Sequence, residues 1–322
     1  MEESVPVVDF SAYSLDRESP DPEHFQKLID DVHRALTTIG FMYLKNFGIP
    51  AEMISDAFST SKRFFQLPLN EKMKCAGPEG SFYGYHHMEK EGLNPRRASN
   101  DLKEIFGCIP IEGTSTVFPE EELPEFRKCL TDLFHSAILL EYRVLEIIAR
   151  GLKLDDPFYF TDRHKLTGTN GNTTSIRSLY YPSLVNVDIK EDQVRCGEHC
   201  DYGGITLLFQ DTQPGLEVKN VHGKWIPASP IEGTVIVNVG ELMQRWTSDK
   251  VVATEHRVLV PSDQLEHERQ SIAIFGNPDN EVSIECIDGS NKYPPTTIMD
   301  MLNMKFKQTF GYSPAKEDPG SF

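Results

Sequence analysis

The stretch Gly197-Glu198-His199-Cys200-Asp201-Tyr202-Gly203-Gly204-Ile205-Thr206-Leu207-Leu208-Phe209 sets an imidazole and a carboxylate two residues apart, ahead of an apolar run. Residues i and i+2 of an extended chain face the same side. His199 and Asp201 can therefore point into one interior. His256 stands at the head of a later apolar run, in Thr254-Glu255-His256-Arg257-Val258. Two imidazoles and one carboxylate make the facial triad that suits non-haem Fe(II), because three protein ligands leave the other metal positions open. Arg269 and Ser271 follow, again as i and i+2. A planar guanidinium fits a carboxylate bidentately and the hydroxyl adds a donor. The pair implies a small acid as partner beside the metal.

Around these residues the texture is that of β structure. Short β-branched, apolar runs fall at 175–181, 204–209, 215–218, 234–239, 256–260 and 269–275, punctuated by Gly, Pro, Asn and Asp. That spacing predicts a mainly β fold with a sandwich or jelly-roll core. Upstream, a strand is expected within 5–10 and another over 41–44. A helix is expected over 22–39, on the spacing of Phe25, Leu28, Ile29, Val32 and Leu36, with Gly40 as its stop. Further helices are expected over 51–65 and 124–151, the second with a core stripe including Leu130, Leu133, Phe134, Ala137 and Ile138. Residues 75–125 look irregular, which in a compact domain marks a functional loop or short elements without a periodic signal. A closing helix is expected over 296–310. The chain thus divides into a mixed α/β region over 1–125 and a long helix, β core and C-terminal helix over 126–322.

The 322 residues carry 32 Lys and Arg against 49 Asp and Glu, a net charge of −17. So acidic a chain does not suit a nucleic-acid partner, which needs a basic face, or docking on anionic membranes. No apolar run approaches a membrane span. The N-terminus lacks the basic segment of a signal peptide and the C-terminus shows no sorting motif, so a cytoplasmic location is expected. The six cysteines are scattered and read as reduced thiols. Cys196, His199 and Cys200 cluster, but structural zinc wants four closed ligands and no second pair is evident.

The ordered set His199-x-Asp201, His256, Arg269-x-Ser271 resembles the Fe(II)/2-oxoglutarate-dependent dioxygenases, in particular the group of isopenicillin N synthase, plant flavonoid and gibberellin oxidases and ACC oxidase. The resemblance covers nearly the whole chain. It includes the opening strand at Val5 to Phe10, the segment Gly40 to Gly48, Phe64-Phe65-Gln66-Leu67-Pro68 with Lys72, Tyr181-Pro182, and Asn238-Val239-Gly240-Glu241. It implies a double-stranded β-helix core with flanking helices and iron on His199, Asp201 and His256. It further implies 2-oxoglutarate with its distal carboxylate on Arg269 and Ser271 and a hydrogen bond from Tyr181. The implied chemistry is oxidative decarboxylation of 2-oxoglutarate with O₂ to succinate and CO₂, coupled to oxidation of a small molecule, with ascorbate as reductant. A 2-oxoglutarate-independent iron oxidase, like isopenicillin N synthase or ACC oxidase, is the alternative, since those enzymes share the Arg-x-Ser pair. Arg177 and Leu179 share the face of Tyr181. Tyr83, Tyr85, Arg96, Arg97 and Phe106 lie where the family covers its active-site mouth, so these residues complete the candidate substrate pocket.

Overall fold

The computed structural model describes residues 4–78, 81–111, 114–260 and 265–310. The extreme chain ends considered above lie outside them.

The larger sheet opens with β1 (Val7–Asp9), parallel to β2 (Phe41–Lys45). From β2 it continues antiparallel through β10 (Thr234–Val239), β7 (Ile205–Gln210), β12 (Arg269–Gly276), β5 (Ser175–Tyr181), β4 (Glu104–Cys108) and β3 (Gly84–His86). A smaller sheet runs β6 (Cys196–His199), β11 (His256–Val258), β8 (Leu216–Lys219) and β9 (Trp225–Pro227). Together they form the double-stranded β-helix core, with helices on the outer face of the larger sheet. The sheet draws strands from both sides of residue 125.

The two-residue period explains the layering. In β12, Ile272 and Ile274 enter the apolar layer beneath the helices, while Arg269, Ser271, Ala273 and Phe275 face the barrel interior. In β5, Ile176 and Tyr180 go to the helices and Arg177, Leu179 and Tyr181 to the interior. In β10, Val235, Val237 and Val239 go out while Asn238 goes in. Because the polar face of these strands is itself buried, they sit between a core and a cavity. The outer layer is closed by α1 (Phe25–Thr38), α2 (Ala51–Phe65) and the 27-residue α4 (Glu125–Gly151), whose expected stripe is buried. Gly40 turns the chain from α1 into β2 at φ +72°, where a Cβ would stand 1.9 Å from the Val252 carbonyl oxygen. Only glycine fits there.

Further elements escape the sequence patterns, among them α3 (Leu69–Lys74), β3, β4 and α5 (Glu241–Trp246). The region 75–125 is therefore not simply irregular. β3 and β4 add the edge of the larger sheet, and strands of three and five residues show no period without their partner. α6 (Ile298–Phe310) matches the expected closing helix.

One buried group sits uneasily in the outer layer. Glu141 of α4 is 1% exposed and, among the described residues, neither carboxyl oxygen has a hydrogen-bond partner. Its carboxyl fills the space opposite Gly276, where a Cβ would lie 2.2 Å from Oε1. Burial pushes the carboxyl up to about 8. A folded-state value above the ordinary one makes stability highest below the ordinary carboxylate range and erodes it as pH rises through the folded value. Glu141→Gln should therefore match the parent in thermal melts at about pH 5 and gain over it by about pH 8.5. A difference that does not grow with pH would show that Glu141 is not a buried neutral acid.

Candidate active site

His199 closes β6 and His256 opens β11, and the two are direct cross-strand partners. Their rings lie 4.3 Å apart between centroids. Asp201 follows β6 after one residue. The ligand atoms of all three lie within 4.8 Å of one another. Asp201 Oδ1 is 3.8 Å from His199 Nε2 and 3.6 Å from His256 Nε2. Those separations exceed a hydrogen bond, so no member of the set satisfies another.

The surroundings fix each donor. His199 Nδ1 meets the Gly197 carbonyl at 2.7 Å and His256 Nδ1 meets the Thr254 carbonyl at 3.1 Å. A carbonyl can only accept, so each Nδ1 carries a hydrogen and each Nε2 is the ring atom turned toward Asp201. Burial, and then the neighbouring His256, lower the His199 imidazole to about 3, so it is neutral. Asp201 Oδ2 accepts from Thr206 Oγ1 and Asn238 Nδ2, both at 2.6 Å, which leaves Oδ1 to face the two imidazoles. Burial works against its charge, yet the histidines and these two donors hold the carboxyl below its ordinary value. Two imidazoles and one oriented carboxylate oxygen, converging without pairing, are a donor set for a divalent cation.

The same cavity, about 580 Å³, reaches Arg269 and Ser271. Arg269 is 1% exposed. Its guanidinium donates to Gln210 Oε1 at 2.8 Å and lies 3.5 Å from Ser271 Oγ, and Tyr181 lies beneath it at 4.9 Å from the ring centre. Among the described residues no carboxylate is within ion-pair distance, and Nε is buried without a partner. A buried guanidinium with only neutral partners is a seat for a carboxylate. The residues therefore fit both an iron ion and a 2-oxo dicarboxylate.

A second, adjoining chamber of about 640 Å³ also borders His199 and Asp201. Its walls include Phe82, Tyr83, Tyr202, Phe275 and Leu302, with Thr173, Ser175, Arg177 and Asn277 as polar groups. Tyr83 and Arg177 line this chamber and Leu179 the first. Four other candidates do not reach either. Tyr85 is 3% exposed and gives its hydroxyl hydrogen to Glu104, and Phe106 is fully buried among Phe64, Phe118 and Phe126. Both belong to the outer core, on the far face of β3 and β4. Arg97 is turned outward by a bidentate pair with Glu198, at 2.9 and 2.6 Å. Arg96 is largely exposed, 3.8 Å from Glu255. Sequence reasoning missed Phe82, Phe275, Asn277 and Leu302. Phe275 alone had a signal, since it continues the alternation of Arg269 and Ser271 along β12.

Arg177 already has its counter-charge. It pairs at 3.1 Å with Glu91, which pairs at 3.0 Å with Lys103, which pairs at 2.7 Å with Asp101. All four are buried. Burial opposes these charges, but Arg177 and Lys103 hold Glu91 far below the ordinary carboxylate range, and Asp101 and Glu91 hold Lys103 well above the ordinary lysine one. Asp101 also accepts from the Gly197 N–H at 3.0 Å, so the network anchors the segment 91–103 beside the iron ligands.

Comparison with known proteins agrees with this geometry. The chain matches the family model of the 2OG-Fe(II) oxygenase superfamily over residues 173–278 and that of the non-haem dioxygenase in morphine synthesis N-terminal region over residues 5–123. It is 32% identical over 282 residues to proline hydroxylase buaE of Petromyces alliaceus, covering 83% of this chain and 86% of that one. It is 31% identical over 333 residues to the 2-oxoglutarate-Fe(II) type oxidoreductase hxnY of Emericella nidulans, with 96% and 91% covered. The crystal structure of a full-length Neurospora crassa protein in complex with alpha-KG and 5-formyluracil superimposes with a TM-score of 0.79 at 31% identity, over 94% of this chain and 95% of that one. These relatives favour 2-oxoglutarate dependence over the 2-oxoglutarate-independent alternative.

The hydrogen bond from Asn238 to Asp201 gives a test of the donor set. Asn238→Ala is expected to weaken Mn(II) or Fe(II) binding by about 10- to 100-fold while thermal stability in metal-free buffer stays close to the parent. Competition with a fluorescent chelator measures it. Parental affinity in the variant would remove Asp201 from the donor set.

Proposed function

The chain belongs to the 2OG-Fe(II) oxygenase superfamily, and within that family we propose that His199, Asp201 and His256 hold the iron, that Arg269 and Ser271 hold the distal carboxylate of 2-oxoglutarate, and that the adjoining chamber takes a small-molecule substrate. The protein is an Fe(II)- and 2-oxoglutarate-dependent oxygenase. The observation that carries the site assignment is one cavity with an unpaired metal donor set and a buried arginine lacking any carboxylate partner among the described residues.

With iron and 2-oxoglutarate bound, the family chemistry would consume O₂, release succinate and CO₂, and hydroxylate or otherwise oxidise the substrate. The chain's own residues orient and shield. Nδ1 hydrogen bonds orient the rings of His199 and His256 so that each Nε2 faces the site. Thr206 and Asn238 hold one oxygen of Asp201 so that the other faces the imidazoles. Tyr181, Leu179, Leu208 and Val258 give the first cavity part of its apolar wall. The second chamber is mostly aromatic and aliphatic, and its arginine is neutralised by Glu91. That lining suits an uncharged, ring-bearing substrate with a few hydrogen-bonding groups for Thr173, Ser175 and Asn277.

Purified protein supplied with Fe(II), ascorbate, O₂ and 2-oxoglutarate should form succinate, and more when a pooled metabolite extract is added. Asp201→Ala should form none. Arg269→Ala should raise the 2-oxoglutarate concentration needed by about 10- to 100-fold. Succinate at the parental rate in Asp201→Ala would overturn the iron assignment. An unchanged 2-oxoglutarate requirement in Arg269→Ala would overturn that of the co-substrate.

A further inference from the structure

A second buried arginine lies behind the first. Arg195, immediately before β6, is 1% exposed, and none of the described carboxylates lies within ion-pair distance of it. Its Nη2 donates to the backbone carbonyls of His267, at 2.5 Å, and Pro182, at 3.5 Å, and its Nε is buried without a partner. Pro182 directly follows β5, and His267 stands two residues before β12. These are the strand ends at which Tyr181 and Arg269 face each other in register. Arg195 does not line the cavity. It reaches across the two strand ends from outside it.

Among the described residues, the charges around this point do not balance. Burial, and then the like charge of Arg269, push the Arg195 guanidinium below its ordinary value. Asp211 is the carboxylate that both arginines act on, yet it is committed to the backbone N–H groups of Gln213, at 2.9 Å, and Gln270, at 2.5 Å. It makes no ion pair with either arginine. Glu268, on the outer side of the strand, is paired with Lys62 at 3.0 Å. Among the described residues, two guanidinium groups thus face one carboxylate, and the excess positive charge sits at the end of the cavity where the distal carboxylate of the co-substrate would lie.

We propose that Arg195 is a positioning residue for the co-substrate: it ties the ends of β5 and β12 so that Arg269 and Tyr181 face the cavity, and its buried charge makes that end selective for a 2-oxo acid with an anionic tail. The inference rests on the placement of 2-oxoglutarate proposed above. Like charges held close in a poorly solvated site are retained only if something else holds them or an anion relieves them. The carbonyls of His267 and Pro182 hold Arg195, and a bound dicarboxylate relieves it.

Calorimetric titration of the Mn(II)-loaded full chain with 2-oxoglutarate and with 2-oxopentanoate, which ends in a methyl group instead of the distal carboxylate, reads this out without turnover. The parent should prefer 2-oxoglutarate strongly. Arg195→Gln should weaken 2-oxoglutarate binding by about tenfold and leave 2-oxopentanoate nearly unchanged, and Arg195→Lys should restore most of the preference. Equal weakening of both ligands would reduce Arg195 to a staple and overturn the proposal, as would unaltered 2-oxoglutarate binding. If Arg195→Gln does not fold, Arg195→Lys decides alone: it keeps the charge, so a retained preference supports the proposal and a lost one overturns it. A parent that fails to distinguish the two acids would instead refute the placement of the distal carboxylate on Arg269, and the inference would fall with it.

Discussion

A guanidinium buried to 1% exposure inside a β barrel, with only neutral partners among the described residues, is the constraint around which the interior is arranged. Desolvating a full charge costs several kcal/mol unless something of opposite sign meets it. Arg269 meets the side-chain oxygens of Gln210 and Ser271 and the face of Tyr181. These hold it in place without cancelling its charge. In the proposed assignment a bound anion would meet that charge, and the cavity that reaches Arg269 leads to His199, Asp201 and His256. One ligand with a carboxylate at one end and a metal-binding group at the other would satisfy both ends at once.

The barrel treats its other buried charges differently. Arg177, Glu91, Lys103 and Asp101 form a closed chain of ion pairs, positive and negative in equal number. That chain ties the segment 91–103 to β5 and, through the Gly197 N–H, to β6 just ahead of His199. Breaking one member of such a network strands the others, which makes it a rigid wall and not a binding site. Glu91, Lys103 and Arg177 line the first cavity, and Arg177 also reaches the adjoining chamber. In the proposed assignment Arg177 arrives there with its charge already met by Glu91, and the anionic co-substrate would meet Arg269.

Much of this was legible in the sequence because the barrel has a two-residue period. His199 and Asp201, Arg269 and Ser271, and Arg177 and Tyr181 each share a face by alternation, and the structure puts each pair on the interior side. The substrate chamber was harder to read. Tyr85 and Phe106 lie on strands too short to show alternation, and only the pairing of β3 with β4 and of β4 with β5 fixes which face they present. Arg97 looked available until Glu198, 101 residues away, turned it outward. Asn277 and Leu302 reach the chamber from a loop and from α6, where nothing local signals the contact. Arg195 carried no motif at all. Its significance comes from being buried beside another arginine, a relation that exists only after folding.

The central claim is that one cavity seats a metal on His199, Asp201 and His256 and a dicarboxylate tail on Arg269. A crystal structure of the protein grown anaerobically with Fe(II) and 2-oxoglutarate, with anomalous data collected at the iron edge, addresses it most directly. A single strong anomalous peak is expected between His199 Nε2, His256 Nε2 and Asp201 Oδ1, with the far carboxylate of 2-oxoglutarate on the guanidinium of Arg269 and Ser271 Oγ. Iron bound elsewhere, or the co-substrate tail seated on Arg177 with Arg269 left to its neutral partners, would contradict it.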